Sequence, residues 1–288
     1  MSEAHGGYYV PHGSRWPIVG SIGLTTLLIG FALLLEGRNL GHEMMIVGAI
    51  IVAFMMFGWF GTVIGESESG KYNNQVDRSF RYGMSWFIFS EVMFFAAFFG
   101  ALFYARMFSV PWLGGEGAKG AAHEFLWQQF APAWPTNGPE ALGGEFKIMD
   151  TWGIPALNTL ILLSSAVTVT WAHWGLKKNN RMQLIIGLLV TVLLGFTFLG
   201  MQAHEYMEAY THFNLTLHSG IYGTTFFMLT GFHGAHVTIG AIMLTVMLVR
   251  ALKGHFTPDH HFAFEAAAWY WHFVDVVWLG LFIFVYWL

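Results

Sequence analysis

From Met84 to Gly100 the chain reads MSWFIFSEVMFFAAFFG, and the only ionisable group in that run is Glu91. On a helix Glu91 stands roughly 15 Å from Arg81 and roughly 22 Å from Arg106, too deep in an apolar stretch to reach water. An ionised carboxylate there costs several kcal/mol, so Glu91 is expected to be protonated or paired inside the protein. Asp275, in WYWHFVDVVWLGLF, is a second acid of this kind. It follows His272 by three residues and shares its helix face, which points to a local pair or a contact with another subunit. His233 and His236 in GFHGAH also share a face, and HFTPDHHFAFE holds His255, His260 and His261. Imidazoles in such numbers could ligate haem or a metal.

The elements that must carry these groups are membrane helices. Hydrophobic residues make up 55% of the chain and charged ones 10%, against about 25% charged in an ordinary soluble domain. Runs of about 20 apolar residues, enough to cross a hydrocarbon core, fall at about 16–35, 43–65, 82–106, 152–176, 183–204, 217–250 and 264–287. They consume most of the 288 residues, so a single transmembrane domain is expected over 1–288. On this layout His204, His212 and His218 lie near one face, His233 and His236 lie deeper, and His255 to His261 occupy a loop on the other face. The outermost groups are then roughly 30 Å or more apart. One ion cannot gather them, and no metal site is expected. Glu205 and Glu208 at one boundary and Glu66 and Glu68 at the other are expected to be solvated or paired with lipid or helix ends.

Nine of the thirteen Lys and Arg residues lie on one set of alternate loops and four on the other. Short cytoplasmic loops collect basic residues, which places the N terminus in the cytoplasm and the C terminus outside. The opening MSEAHGGYYVPHGSR lacks a basic segment followed by an apolar one, so no cleaved signal peptide is expected. With no cysteine there is neither a disulfide nor a thiolate site. The one long connection, 107–151, is rich in Pro and Gly and carries the aromatic patch HEFLWQQFAPAW, suited to the headgroup region. Loops of this length either serve a function, pack on a partner or are variable insertions.

In order along the chain, RYGMSWFIFSEVMFFAAFF, LNTLILLSSAVTVTWAH, QAHEYMEA, YGTTFFMLTGFHGAHVTIG and HFTPDHHFAFEAAAWYWHFVDVVWL resemble the successive signatures of cytochrome c oxidase subunit III, of the bacterial aa3-like kind. The resemblance covers about 14–106 and 151–288. It implies an all-α membrane fold of seven helices, the first two splayed from a five-helix bundle by a lipid-filled cleft. It further implies an accessory subunit of the terminal oxidase in a bacterial plasma membrane. Haem and copper then sit in subunits I and II, which pass electrons from cytochrome c to dioxygen and pump protons, and this chain supplies no catalytic residue. Its partners would be those two subunits and phospholipids, with no nucleic acid. By the same resemblance Glu91 matches the intramembrane glutamate that reacts with hydrophobic carbodiimide, while Trp59, Glu66 and Arg250 match lipid-side positions. The residue before Glu66, often basic in the family, is Gly65 here, so the expectation is either that Lys71 or Arg78 replaces it or that the lipid differs.

Two other classes compete. A stand-alone proton-coupled transporter could use Glu91 and Asp275 as a relay, but related halves with broken helices are not evident, and the last span has no lysine for a retinal. A di-iron hydroxylase built on the histidines is disfavoured by their spread across the bilayer.

Overall fold

The computed structural model describes residues 9–10, 13–117 and 120–288. Lys119 and most of the N-terminal segment used in the signal-peptide reading lie outside the described residues. Among the described residues there is no strand, and seven helices are long and apolar enough to cross a membrane. They are α1 (Trp16–Leu35), α2 (Leu40–Glu68), α3 (Asn74–Leu113), α4 (Ile154–Lys177), α5 (Arg181–Thr211), α6 (Gly220–Lys253) and α7 (Phe262–Trp287). All seven expected spans are present, and the protein is a multi-pass membrane protein.

Several helices outrun their apolar segments, and local chemistry explains where they start and stop. α3 begins at Asn74, well before the apolar run, because the Asn73 carboxamide oxygen accepts from the backbone N–H of Gln75 and Val76. Arg78 and Arg81, expected in a loop, are therefore in its first turns, where Arg81 pairs with Asp77 at 2.7 Å. At its other end α3 passes through a π-helical turn, Ala105–Ser109, before stopping at Leu113. Asn180 caps α5 through the N–H of Gln183, and Gly254 ends α6 with a φ of 78° that a side chain would strain.

The chain divides into two compact units, Met1–Tyr82 and Gly83–Leu288. In the first, α1 and α2 pack along each other through glycines. A Cβ on Gly41 would stand 2.5 Å from the backbone nitrogen of Leu34, and one on Gly48 the same distance from that of Leu27. Small residues let helix backbones approach closely in a membrane, where apolar burial supplies no drive. One polar link joins the pair, the Trp16 indole N–H donating to Thr62 Oγ1 at 3.1 Å.

The second unit is built on aromatic side chains. Trp271 of α7 is fully buried between Gly195 of α5 and Gly240 of α6, either of which would clash with its ring if it gained a Cβ. Its indole N–H donates to Ser165 Oγ of α4 at 2.8 Å, and Trp278 donates to Thr159 Oγ1 at 2.9 Å. These bonds satisfy the polar edge of each ring in surroundings without water. The long connection folds back on this unit. Lys147 donates its backbone N–H to Phe213, the Asn214 side chain donates to the carbonyls of Gly143 and Glu145, and Tyr222 donates its backbone N–H to Thr136. Phe125 and Leu126 of its aromatic patch are left exposed.

Candidate functional site

Glu91 projects from α3 toward α6, where its Oε2 lies 2.8 Å from His236 Nε2. The other ring nitrogen of His236, Nδ1, is 2.6 Å from the Phe232 carbonyl. A carbonyl only accepts, so Nδ1 carries a proton, and in the neutral ring Nε2 is bare. Two arrangements satisfy the contact: the Glu91 carboxyl donates O–H to Nε2, or an imidazolium donates to the carboxylate. In both the pair has no net charge and shares one proton between two atoms, which is how the apolar surroundings tolerate it. The His236 ring lies among Phe94, Phe95, Tyr270 and Phe273. About a fifth of the Glu91 side chain remains exposed, so the pair sits at the edge of the packed interior.

His233, three residues earlier, does something else. It is fully buried, with Nε2 donating to the Val274 carbonyl of α7 at 3.2 Å and its ring against Phe198 and Trp278. Asp275 is 4% exposed and has His272 Nδ1 at 3.4 Å. His272 also reaches Thr170 Oγ1 on α4 at 3.3 Å.

The first unit has its own polar cluster. Glu66 accepts from the Tyr9 and Tyr72 hydroxyls, each at 2.8 Å. Burial, together with the bond to the Glu66 carboxylate, pushes the Tyr72 phenol well above its usual range. The bond to Glu66 likewise raises Tyr9. The Lys71 ammonium stands 5.8 Å from the Tyr9 ring centre, and Trp59 is exposed on α2. Arg250 is in the second unit, largely buried, with its guanidinium 4.7 Å from the Phe256 ring centre.

Two findings depart from the sequence reading. Glu205 is not a solvated boundary acid: it is fully buried and accepts from the Tyr286 hydroxyl at 2.6 Å. Its signal was present, since Phe198, Gln202, Glu205 and Ala209 recur at helical spacing and form one buried stripe of α5. His173, which no spacing argument singled out, comes together with His261 and Glu265 at one end of the second unit.

These features define a class: a multi-pass helical membrane protein in which Glu91 and Glu205, acids carried within the spans, are linked to neighbouring helices. The match to known proteins is more particular. The family model described as cytochrome c oxidase subunit III matches residues 6–120 and 129–288, which includes most of the long connection, beyond the segments in which the resemblance was read. Proteins named cytochrome c oxidase subunit 3 from Marchantia polymorpha and Pongo abelii are each 42% identical over 288 residues. They cover all of this chain, which covers 98% and 99% of them. The human protein of that name is 40% identical over the same length, covering all of this chain and covered to 99%. The chain belongs to the cytochrome c oxidase subunit III family. A stand-alone transporter is accordingly not favoured.

Proposed function

We propose that this chain is the accessory third subunit of cytochrome c oxidase, contributing structure and lipid contacts to a complex whose redox centres lie in subunits I and II. The full-length family match carries this reading. The partners implied are those two subunits, which hold haem and copper and couple the reduction of dioxygen by cytochrome c to proton pumping. Within that role Glu91 serves first as an interhelical link. Its carboxyl group is engaged by His236, so Glu91 is not a lone carboxylate, whereas Asp275 makes no hydrogen bond among the described residues and has the His272 ring 3.4 Å away.

Phospholipid binding is assigned to Trp59, Glu66, Lys71 and Arg250. An exposed indole on α2 and the Lys71 ammonium, just beyond the end of that helix, suit an acyl chain and a phosphate, and the Glu66 carboxylate suits a headgroup amine. Arg250 is the least accessible of the four, because α6 buries it. The chain is read as one transmembrane domain because its spans consume most of its length, in a bacterial plasma membrane on the family resemblance, and with the N terminus in the cytoplasm on the charge asymmetry.

Purification from native membranes tests the whole reading. The chain is expected to bring with it two large haem- and copper-bearing partners and, once separated from them, to show no haem absorbance and no oxygen consumption. Stoichiometric haem in the separated chain would overturn it. Labelling from the cytoplasmic face is expected to modify Lys177 and spare Lys147, and the opposite pattern would invert the topology.

A further inference from the structure

His173 near the end of α4 and His261 and Glu265 at the start of α7 bring three ligand atoms within 4.8 Å of one another. His261 Nε2 is 3.2 Å and His173 Nε2 is 3.4 Å from the same carboxylate oxygen, Glu265 Oε1. Neither Nε2 makes a hydrogen bond, although both are shielded from solvent. His261 Nδ1 lies 3.1 Å from the Thr257 carbonyl and must donate to it. In the neutral ring that leaves a lone pair on Nε2 facing Glu265 Oε1, a contact that either a proton or a metal cation between the atoms makes favourable.

We propose that His173, His261 and Glu265 form a binding site for a divalent first-row cation, zinc being the best fit. The donor set of two imidazoles and one carboxylate, with room for a fourth ligand, is one that zinc favours. Its ligands lie at about 2.0–2.2 Å, and two corners of a tetrahedron of that size are separated by ~3.3 Å, which matches both measured contacts. The Thr257 carbonyl holds the His261 ring in the tautomer that a metal ligand needs, the usual outer support for a metal-bound imidazole. Lys177, the cation one turn further along α4, is exposed and can extend away. His261 and Glu265 stand four apart on one helix face, and His173 belongs to another helix, so the ion would clip α4 to the first turn of α7. All three ligands belong to this chain.

The test uses the assembled oxidase, stripped with a chelator and titrated with zinc ion. Zinc sites in the partner subunits cancel in the difference between wild type and variants, and haem per complex reports assembly. Wild type is expected to bind one more tight equivalent than His173→Ala or Glu265→Gln, whose remaining affinity at this position falls by at least about tenfold. Equal stoichiometry and affinity in assembled wild type and variants would overturn the proposal. Should a variant fail to assemble, zinc-edge anomalous scattering from zinc-loaded wild type decides: a peak between the three side chains supports the site, and its absence there refutes it.

Discussion

The two units hold helices together in a membrane with a different balance of the same two devices, close backbone approach at glycines and aromatic rings set on glycines. α1 and α2 touch through glycines and one indole-to-threonine bond, and within their membrane windows only 17% and 6% of residues are buried, against 61% in α7. The second unit interleaves tryptophans with glycine slots and closes most polar edges across helices. Backbone approach demands little of the sequence beyond small residues at the right spacing. Ring-in-slot packing demands matched residues on three helices at once. Mutations should therefore fail in different ways in the two units.

The largest effect is expected in the second unit. Trp271→Ala empties a slot lined by α4, α5 and α6 and removes the donor to Ser165 Oγ, and should cost about 3–5 kcal/mol, read as loss of the subunit from the complex on mild heating. A loss no greater than that of a surface substitution would show that the aromatic core does not set this unit's stability. Next comes Gly41→Leu in the first unit. Its side chain meets the Leu34 backbone, which cannot swing aside, at a cost of about 2–3 kcal/mol. Cross-linking between cysteines placed on α1 and α2 should fall while the second unit's unfolding is unchanged. Unfolding of both units together would erase the distinction.

Smaller still is the cost at Glu91. Glu91→Gln can donate its amide N–H to His236 Nε2 and should leave assembly and turnover close to wild type while abolishing carbodiimide labelling. Glu91→Ala strands the imidazole and should cost about 1–3 kcal/mol. Loss of proton pumping by an assembled Glu91→Gln oxidase would replace the linking role with a proton-carrying one. The smallest effect belongs to Tyr72→Phe, at most about 1 kcal/mol for one half-exposed hydrogen bond. Because the folded phenol titrates above its unfolded value of about 10, its contribution is complete below pH 10 and is lost as pH rises through the folded value. A difference absorbance titration against Tyr72→Phe should show tyrosinate appearing late. Ionisation at the ordinary position would mean that the Glu66 contact is absent in solution.

How far the sequence reached can be judged from particular residues. Hydropathy located every span, because twenty apolar residues in a row have few other uses, but it missed the true start of α3, where Asn73 caps a helix that continues through polar residues. It expected Glu91 to be either protonated or paired, and could not name the partner, which is 145 residues away on α6. The reading put His233 and His236 on one face. Three residues advance a helix by about 300°, and the resulting offset of about 60° sends one ring to α7 and the other to α3.

By itself the sequence determined the membrane class, the number and order of spans and the family, since each depends on composition or on words read along the chain. Only the tertiary structure decided which histidine meets Glu91, that Glu205 is sealed against Tyr286, and that His173 stands beside His261 and Glu265. Those outcomes depend on how α4, α5, α6 and α7 are rotated about their axes. Trp271 sets that rotation by fitting between glycines on neighbouring helices, and no periodicity within a single helix encodes it.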